Sequence, residues 1–250
     1  MISQLFIRGL QQKRGTSPTD SYVFSLAAVK HIESFQFRKN VTFLVGENGT
    51  GKSTLLEAIA VNYGFNAEGG SINFNFSTAE THSPLSEHIT VIKGARRPQD
   101  GFFLRAESFY NLATEIDRLD VCQSYGGGSL HCKSHGESFL ALVLNRFRGN
   151  GLYLLDEPEA ALSPVRLLTL LSCICELAAQ GSQFIIATHS PMLIALPDSE
   201  LYLLSEKAPC LTPYGDTEHF IVTKKFLQNP DRMIKQLFDK KSPSDYSNGQ

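Results

Sequence analysis

The chain has 250 residues, of which 42% are apolar and 19% are charged, as is typical of a globular α/β domain with a sizeable core. Its formal net charge of −2 excludes a general electrostatic attraction to nucleic acid or anionic lipid, so such a partner would need a local basic patch. Five cysteines, an odd number without a framework spacing, fit a reducing compartment better than a secreted disulfide scaffold, which predicts a cytoplasmic protein.

Three apolar runs predict buried strands of a parallel sheet. They cover residues 41–45, 152–155 and 184–187, and each is followed directly by polar or glycine residues. Continuous apolar runs without alternation are typical of strands that are covered on both faces. Ligands of open α/β sheets bind where such strands end. The polar residues after these three runs are therefore the expected functional site.

The first run leads into a phosphate-binding loop. Residues 46–53, GENGTGKS, match the pattern G-x-x-x-x-G-K-[ST], and helical apolar spacing follows them. Glycines let backbone N–H groups turn toward phosphate oxygens, and the following helix presents its positive N-terminus to the same anion. Lys52 is expected to reach the β- and γ-phosphates, Ser53 to ligate Mg²⁺ and Thr54 to contact the α-phosphate. The predicted nucleotide-binding residues of this loop are Gly46, Glu47, Asn48, Gly49, Thr50, Gly51, Lys52, Ser53 and Thr54.

The segments after this loop predict an insertion and a helical region. Residues 64–100 are rich in Asn, Ser, Thr and Gly and predict a β-rich or loop-rich lobe inserted in the main domain. A helical region is expected over residues 108–147, with helical apolar spacing in 140–147. Residues 241–250 are expected to be frayed, so a single domain is predicted over residues 1–240.

The second and third apolar runs end in residues that suit phosphate chemistry. Asp156 lies at the end of the second run and suits a metal ligand. Glu157 beside it suits a general base that orients the attacking water. The third run is followed by Thr188 and His189, and its position favours His189 as a sensor of the γ-phosphate.

A helix is predicted between the second and third runs. Ser163 and Pro164 are a good N-cap and first-turn pair, and the helix is expected to end near Gly181. Its apolar stretch, residues 167–179, is interrupted by polar residues and falls short of the ~20 apolar residues that span a bilayer. Residues 1–14 lack the long apolar core of a signal peptide and predict a short strand. We therefore expect no direct membrane insertion by this chain.

One further motif connects the features described above to a known protein superfamily. Residues 133–138, KSHGES, precede a predicted helix and resemble LSGGQ, the signature motif of the ABC ATPase superfamily. Ser134 and Gly136 are retained, whereas His135 replaces the first glycine and Glu137 replaces glutamine. The resemblance covers most of the chain between the first apolar run and Pro191, and it implies an α/β P-loop NTPase fold, an ABC ATPase head with a mainly parallel central sheet.

The resemblance also implies ligands, partners and roles. ATP and Mg²⁺ are the expected ligands, and a homodimer is implied in which the signature of one protomer caps the γ-phosphate bound by the other. Ser134, Gly136 and Glu137 would then bind ATP in trans. The implied catalytic residues are Glu157, His189 and Lys52, and the implied metal-contacting residues are Ser53, Asp156 and Glu107.

Some positions depart from the family pattern or keep alternatives open. Residues 156–164 resemble the soluble RecF-like, SMC-like and "AAA family ATPase" branch, because transporter subunits commonly have aspartate where Ser163 stands. Glu107 takes the place of the family's metal-contacting glutamine, with Gln99 as the alternative. Two aromatic residues precede the loop as candidates for stacking on adenine or for core packing, Tyr22 and Phe24.

Two further residue clusters favour a structural or solvated role over a functional site. Cys122, His131, Cys132 and His135 lack the paired spacing of a zinc site. Basic residues in the last part of the chain favour a solvated helix face, with a nucleic-acid contact as the alternative. These basic residues are Lys224, Lys225, Arg232, Lys235, Lys240 and Lys241.

Three functions are compatible with the sequence. The first is a soluble ATPase whose dimer closes on Mg-ATP and drives an unidentified effector protein, in DNA repair or phage defence. The second is the ATP-binding subunit of a membrane ABC transporter, and the third is a nucleotide-gated regulator with little turnover. Glu157 and His189 favour hydrolysis, and Ser163 favours a function outside transport.

Overall fold

The computed structural model of the protein describes residues 4–13, 22–32, 34–72, 83–118, 131 and 134–239. The chain divides into two compact units, Met1–Thr212 and Pro213–Gln250. Several predicted features lie outside the described residues: Cys122, Cys132, Lys133, Lys240, Lys241 and the tail 241–250. The single domain predicted over residues 1–240 stays a prediction.

The first unit is built on two β-sheets. Its strands are β1 Ile7–Gln12, β2 Ser34–Gln36, β3 Val41–Val45, β4 Gly70–Ser71, β5 Ile89–Lys93, β6 Asp100–Arg105, β7 Gly151–Asp156, β8 Gln183–Ala187, β9 Glu200–Leu203 and β10 Cys210–Leu211. The large sheet has the order β10-β9-β3-β8-β7-β6-β4. Its five inner strands run parallel, and β10 and β4 pair antiparallel at its two edges. The mainly parallel sheet predicted from the sequence is confirmed.

The three apolar runs form β3, β7 and β8, which are neighbours in the sheet. Every residue of these strands is buried because both faces of the sheet are covered. Leu152 and Leu154 of β7 join a core cluster with Leu55 of the helix that follows the phosphate loop. Tyr153 points to the opposite face, where its ring stacks on Phe147 with 4.1 Å between centroids. Side chains that alternate between two apolar layers leave no polar face on these strands.

Helices account for the covering layers of the first unit. They are α1 Ala27–Lys30, α2 Lys52–Tyr63, α3 Leu85–His88, α4 Phe109–Arg118, α5 His135–Arg146 and α6 Pro164–Ala179. The helices predicted after the phosphate loop, in 140–147 and from Pro164 are confirmed as α2, α5 and α6. Ser163 is the N-cap of α6, and its hydroxyl accepts from the Arg166 N–H.

The stretch predicted as an inserted lobe contributes to both sheets. β4 extends the edge of the large sheet, whereas β5 pairs with β1 in a three-stranded antiparallel sheet of order β2-β1-β5. Residues 73–82 of this stretch are outside the described part. The division into a main domain and a lobe over residues 64–100 stays a prediction.

Up to residue 239, the second unit is made of short helices. A 3-10 helix, Tyr214–Asp216, is followed by α7 Glu218–Gln228 and α8 Pro230–Asp239. Lys224, Lys225, Arg232 and Lys235 are all exposed, as expected of a solvated face. Over the described residues of the chain, no helix combines the length and the apolarity that a bilayer crossing requires.

Candidate functional site

The ends of β3, β7 and β8 meet at one edge of the large sheet. The three strands are parallel neighbours, with Leu44 and Asp156 both in register with Ala187. The phosphate loop follows β3, Asp156 ends β7, and Thr188 and His189 follow β8. The parallel topology therefore brings the phosphate loop together with two segments that lie more than a hundred residues later in the sequence.

The phosphate loop has a backbone that requires glycine at two positions. Gly51 is the N-cap of α2 with φ of 94°, in the left-handed region that other residues adopt at a cost. Gly46 packs so closely that an added Cβ would meet the Leu204 carbonyl oxygen. The loop can therefore turn its N–H groups inward and lead directly into α2, whose N-terminus faces the sheet edge.

Lys52 is the first residue of α2 and is only 4% exposed. Its Nζ donates to the carbonyl oxygens of Gly46 and Glu47, at 3.0 Å each. Burial lowers the pKa of Lys52, and the nearby carboxylates of Glu157, Asp156 and Glu159 oppose that shift. The ammonium group thus sits inside the loop, where it is held by carbonyl oxygens.

Ser53 and Asp156 are in direct contact. The Ser53 Oγ donates to Asp156 Oδ1 at 2.8 Å. Burial raises the pKa of Asp156 to about 6, although the Ser53 hydrogen bond and the Arg105 charge act against it. A hydroxyl and a carboxylate at this distance are hard oxygen donors of the kind that Mg²⁺ prefers.

Arg105 connects the acidic groups around Asp156. It ends β6 in register with Asp156, and its Nε lies 3.6 Å from Asp156 Oδ2. The same guanidinium pairs with Glu57 of α2 at 2.9 Å and with Glu107 at 3.4 Å. Three carboxylates therefore share one arginine, which leaves the cluster with excess negative charge.

Glu157 faces His189 across the neighbouring strand ends. Glu157 Oε1 and His189 Nε2 are 3.5 Å apart, and both side chains are partly exposed. The Glu157 backbone has φ of 48°, a left-handed conformation that costs a non-glycine residue roughly 1–2 kcal/mol. Its N–H donates to the Ala187 carbonyl at 2.9 Å, and this hydrogen bond connects the strained turn at Glu157 to β8. Strain of this kind is frequent at functional sites.

A cavity of about 470 Å³ opens at this edge of the sheet. The described residues that line it are Ser53, Ala106, Glu107, His135, Asp156, Glu157 and Ala160. Three sequence-predicted metal-contacting residues, Ser53, Asp156 and Glu107, therefore share one space. Among the described residues, no group of three or more His, Cys, Asp or Glu side chains could hold a metal alone. Mg²⁺ commonly binds instead through one or two carboxylates together with substrate phosphates.

The signature segment has a well-defined local structure at the start of α5. The Ser134 N–H donates to Glu137 Oε2 at 3.0 Å and the Ser134 side chain accepts the Glu137 N–H, which forms a capping box. The Ser134 hydroxyl also lies 2.7 Å from Glu137 Oε2, to which it donates. Arg166 of α6 pairs with Glu137 Oε1 at 2.9 Å. The hydrogen bonds to Ser134 are the first cause of a lowered pKa of Glu137. Ser134 and Gly136 are absent from the described lining of the cavity, whereas His135 between them is part of it.

Comparison with known proteins indicates the class of ATPase. A model described as "AAA domain" matches residues 23–103, and one described as "AAA domain, putative AbiEii toxin, Type IV TA system" matches residues 137–195. An "Uncharacterized ABC transporter ATP-binding protein" of Haemophilus influenzae is 26% identical over 238 residues, which cover 84% of this chain and 87% of that protein. Together these matches support a P-loop ATPase of the ABC class.

Two other similar proteins are a curated relative and a solved structure. The "Cytochrome c biogenesis ATP-binding export protein CcmA" of Legionella pneumophila (strain Paris) is 28% identical to the ATPase over 171 residues, 64% of this chain and 84% of that protein. The solved structure of cbiO1 from Clostridium perfringens, described as part of the ABC transporter complex cbiONQ, has 17% identity and a TM-score of 0.49. It covers 94% of the ATPase and 99% of that chain.

The remaining predicted residues of the ATPase are placed as follows. Glu107 lines the cavity, whereas Gln99 precedes β6 at the opposite end of that strand, where its N–H donates to the Asn150 carbonyl. Tyr22 is 72% exposed, and Phe24 packs edge-on against His88 with 4.6 Å between ring centroids. The geometry is thus compatible with Glu107 at the metal and with Phe24 in the core.

Glu47, Asn48 and Thr50 belong to the loop before α2, and Thr54 belongs to α2 itself. Glu47 and Asn48 are exposed at the tip of the loop, and Thr54 is in the first turn of α2. The Thr50 hydroxyl donates to the Glu47 carbonyl at 2.9 Å and stabilises the turn. Gly49, at φ of 80°, completes the tip.

Two charged residues at this edge were missed by sequence reasoning. Arg105 pairs with three acidic groups, and its only sequence signal is its position at the end of an apolar strand. Glu159 accepts hydrogen bonds from the Thr188 hydroxyl and the His189 N–H. Its position two residues after Glu157 indicated proximity, but its partners come from a different strand.

Proposed function

We propose that the ATPase hydrolyses Mg-bound ATP at an interface between two copies of itself and transmits the resulting motion to an effector protein. The observation that carries this proposal is the contact between Ser53 and Asp156, at 2.8 Å, with Glu157 and His189 beside it. This arrangement places a phosphate loop, two carboxylates and a histidine at one sheet edge. Phosphoryl transfer depends mainly on positioning and on charge, which such an edge can supply.

Lys52 and the loop would bind the triphosphate. The ammonium now donates to two loop carbonyls and would turn one or more of these donors to the β- and γ-phosphates. Loop N–H groups and the N-terminus of α2 add further donors without a net charge. Bound phosphate would also compensate the burial of the Lys52 charge.

Ser53, Asp156 and Glu107 fit a magnesium ion that arrives with the nucleotide. All three line the cavity with oxygen atoms, and the local carboxylates outnumber the single Arg105. Bound Mg²⁺ would neutralise charge on the β- and γ-phosphate oxygens. Ser53 would turn its hydroxyl proton away from Asp156 so that its oxygen faces the metal.

Glu157 and His189 would act on the attacking water. Glu157 is partly exposed into the cavity and can accept a proton from water there. His189 is 3.5 Å from Glu157 and can orient that carboxylate or contact the γ-phosphate. The strained turn at Glu157 fixes where the carboxylate enters the cavity.

The second copy would supply the signature segment. Ser134 and Gly136 are not among the described residues that line the cavity of their own protomer. His135 between them does line it. In the proposed dimer, Ser134 and the N-terminus of α5 face the γ-phosphate of the partner. Glu137 would then have two roles: it caps the N-terminus of α5, and it contacts the phosphate of the partner.

The proposal is tested by phosphate release from the purified ATPase in the presence of ATP and Mg²⁺. We expect steady turnover that EDTA removes, that Glu157→Gln lowers by at least about 100-fold, and that Lys52→Ala abolishes with loss of nucleotide binding. Glu206→Gln, at an exposed position outside the site, is the matched control. Turnover that is unchanged in Glu157→Gln would refute the assigned base.

For the effector protein, we propose a class of partner and not a particular protein. The match to a model named for a putative toxin supports a defence-related partner, and the RecF-like and SMC-like resemblance supports DNA repair. A cytoplasmic location is part of this proposal. Stimulation of ATP turnover by duplex DNA would favour a nucleic-acid partner, with Lys225 and Arg232 as the first residues to substitute.

A transporter subunit is the second candidate. Relatives of the ATPase are named as transporter or export ATP-binding proteins, which favours this function. Co-purification with a multi-span membrane protein would support it, and Ser163 argues for the soluble branch. A nucleotide-gated regulator would instead bind ATP tightly with little phosphate release.

A further inference from the structure

Glu159 joins two of the strand ends that form the site. It lies in the 3-10 helix Pro158–Ala161, two residues after Glu157. Its Oε1 accepts the His189 N–H at 2.6 Å and the Thr188 hydroxyl at 2.7 Å. The segment after β7 is thereby attached to the segment after β8 through one oxygen atom.

The other oxygen of this carboxylate, Oε2, is in a different environment from Oε1. Glu159 Oε2 is shielded from solvent and has no hydrogen-bond partner among the described residues. A buried carboxylate oxygen without a partner costs free energy, so a purely structural role would be served better by a neutral side chain. A role at a functional site is one of the reasons for which a folded protein retains such a group.

The Thr188 hydroxyl extends the connection. It donates to Glu159 and accepts the Ser190 N–H at 3.0 Å, so residues 188–190 are held by successive hydrogen bonds. The Thr188 N–H itself donates to the Leu44 carbonyl of β3. The backbone of His189 is therefore held between β3 and Glu159, and its ring is left to face Glu157.

We propose that Glu159 is a positioning residue for ATP hydrolysis, which acts by holding the His189 backbone so that the His189 ring stays within reach of Glu157. This inference rests on the proposed function, because it assigns Glu159 to the same reaction. In this role Glu159 acts through His189. It sets the distance between the base and the histidine, which is 3.5 Å in this structure.

The charge of Glu159 is important to this role. A carboxylate accepts hydrogen bonds from N–H and O–H donors more strongly than an amide oxygen does. Glu159→Gln keeps the shape but weakens both bonds, and its amide nitrogen cannot accept either one. The Gln side chain should leave the fold intact while the His189 segment loosens.

The kinetic test uses Glu159→Gln with Thr188→Ser and Thr188→Val as matched variants. We expect Glu159→Gln to lower kcat by at least about tenfold while KM for ATP stays within about twofold. Thr188→Ser should retain activity because its hydroxyl remains, and Thr188→Val should reduce kcat less than Glu159→Gln does. An unchanged kcat in Glu159→Gln would overturn the proposal.

A double-mutant cycle separates positioning from a general loss of structure. In a His189→Ala background, Glu159→Gln should change kcat by less than about twofold, because the group it positions is gone. Equal losses in both backgrounds would show that Glu159 acts independently of His189 and would also overturn the proposal.

An NMR measurement does not depend on turnover. With ¹⁵N-histidine labelling, the seven histidines give few backbone signals, and the His189 amide proton should lie far downfield because of its short bond to a carboxylate. Glu159→Gln should move that signal upfield and leave the His88 amide in place. An unmoved His189 signal would overturn the positioning role even if ATPase activity is present. A moved signal in a protein without ATPase activity would reject the proposed hydrolysis and leave the Glu159–His189 linkage supported.

Discussion

The Ser53 hydroxyl donates a 2.8 Å hydrogen bond to Asp156 Oδ1 and thereby joins the first turn of α2 to the end of β7. These two residues are 103 positions apart in the sequence. The contact puts a neutral oxygen donor beside a buried carboxylate, where a magnesium ion carried by ATP would be bound. It is the structural relationship from which the assignment of the site begins.

Ser53→Ala should weaken magnesium-dependent ATP binding much more than magnesium-free binding. The substitution removes one oxygen ligand and also one of the groups that hold the pKa of Asp156 down. Isothermal titration with ATP, with Mg²⁺ and with EDTA, measures the difference directly. Ser53→Thr keeps the hydroxyl and is the control, so an equal loss in both variants would point to packing instead.

Asp156→Asn should stabilise the nucleotide-free protein above pH 6. Burial raises the pKa of Asp156 to about 6 from an ordinary 3.8, so the fold favours the protonated form. The stabilising contribution is complete below pH 4 and is lost as the pH rises through about 6, at a cost of about 3 kcal/mol at most. Asparagine does not ionise, so the variant does not lose this stability as the pH rises.

Denaturant unfolding at pH 4 and pH 8 checks this expectation. The difference in unfolding free energy between Asp156→Asn and the parent should be small at pH 4 and favour the variant at pH 8. Glu206→Gln, at an exposed carboxylate, should show the same small difference at both values. A variant that is less stable than the parent at pH 8 would mean that Arg105 outweighs burial.

Gly136→Ala should destabilise the start of α5 and reduce ATP turnover. A Cβ at Gly136 would lie 2.6 Å from the Ala161 carbonyl oxygen and 3.0 Å from Arg166, so the backbone must shift. Such overpacking costs typically about 1–3 kcal/mol. Thermal unfolding and phosphate release measure the two effects. Gly215→Ala is the control, since nothing lies within 4 Å of the added carbon.

The sequence predicts those parts of the site that are local in the chain. The phosphate loop and the residues after each apolar run follow from short patterns, and their meeting follows from parallel strands. The Ser134-x-x-Glu137 spacing also carried a local signal, since it is the pattern of a capping box. Glu137 is accordingly found as a helix cap within its own protomer.

The missed features depend on contacts between distant segments. Arg105 meets Glu57 of α2 and Asp156 of β7 only because β6 and β7 pair in one particular register. The pairing of β5 with β1 joins residues more than 70 positions apart, and no periodicity within either strand encodes that partner. Composition therefore indicated a β-rich stretch over 64–100 but not which sheets it joins.

Two inactive variants should restore activity when they are mixed. Lys52→Ala removes nucleotide binding but keeps the signature segment, and Ser134→Arg blocks the signature but keeps the phosphate loop. If each site combines the two copies, a 1:1 mixture contains mixed dimers with one complete site and recovers about a quarter of parent turnover. Mixing either variant with itself at twice the concentration is the control. Absence of any recovery would favour a site completed within one chain.

The most direct test of the account is the size of Glu157→Gln in solution with ATP and Mg²⁺, measured by sedimentation velocity. This variant should bind ATP without hydrolysing it, so the closed pair should accumulate as a dimer and revert to monomer with ADP. A Lys52→Ala, Glu157→Gln double variant should stay monomeric with either nucleotide. A Glu157→Gln protein that binds ATP yet remains monomeric would contradict hydrolysis between two copies.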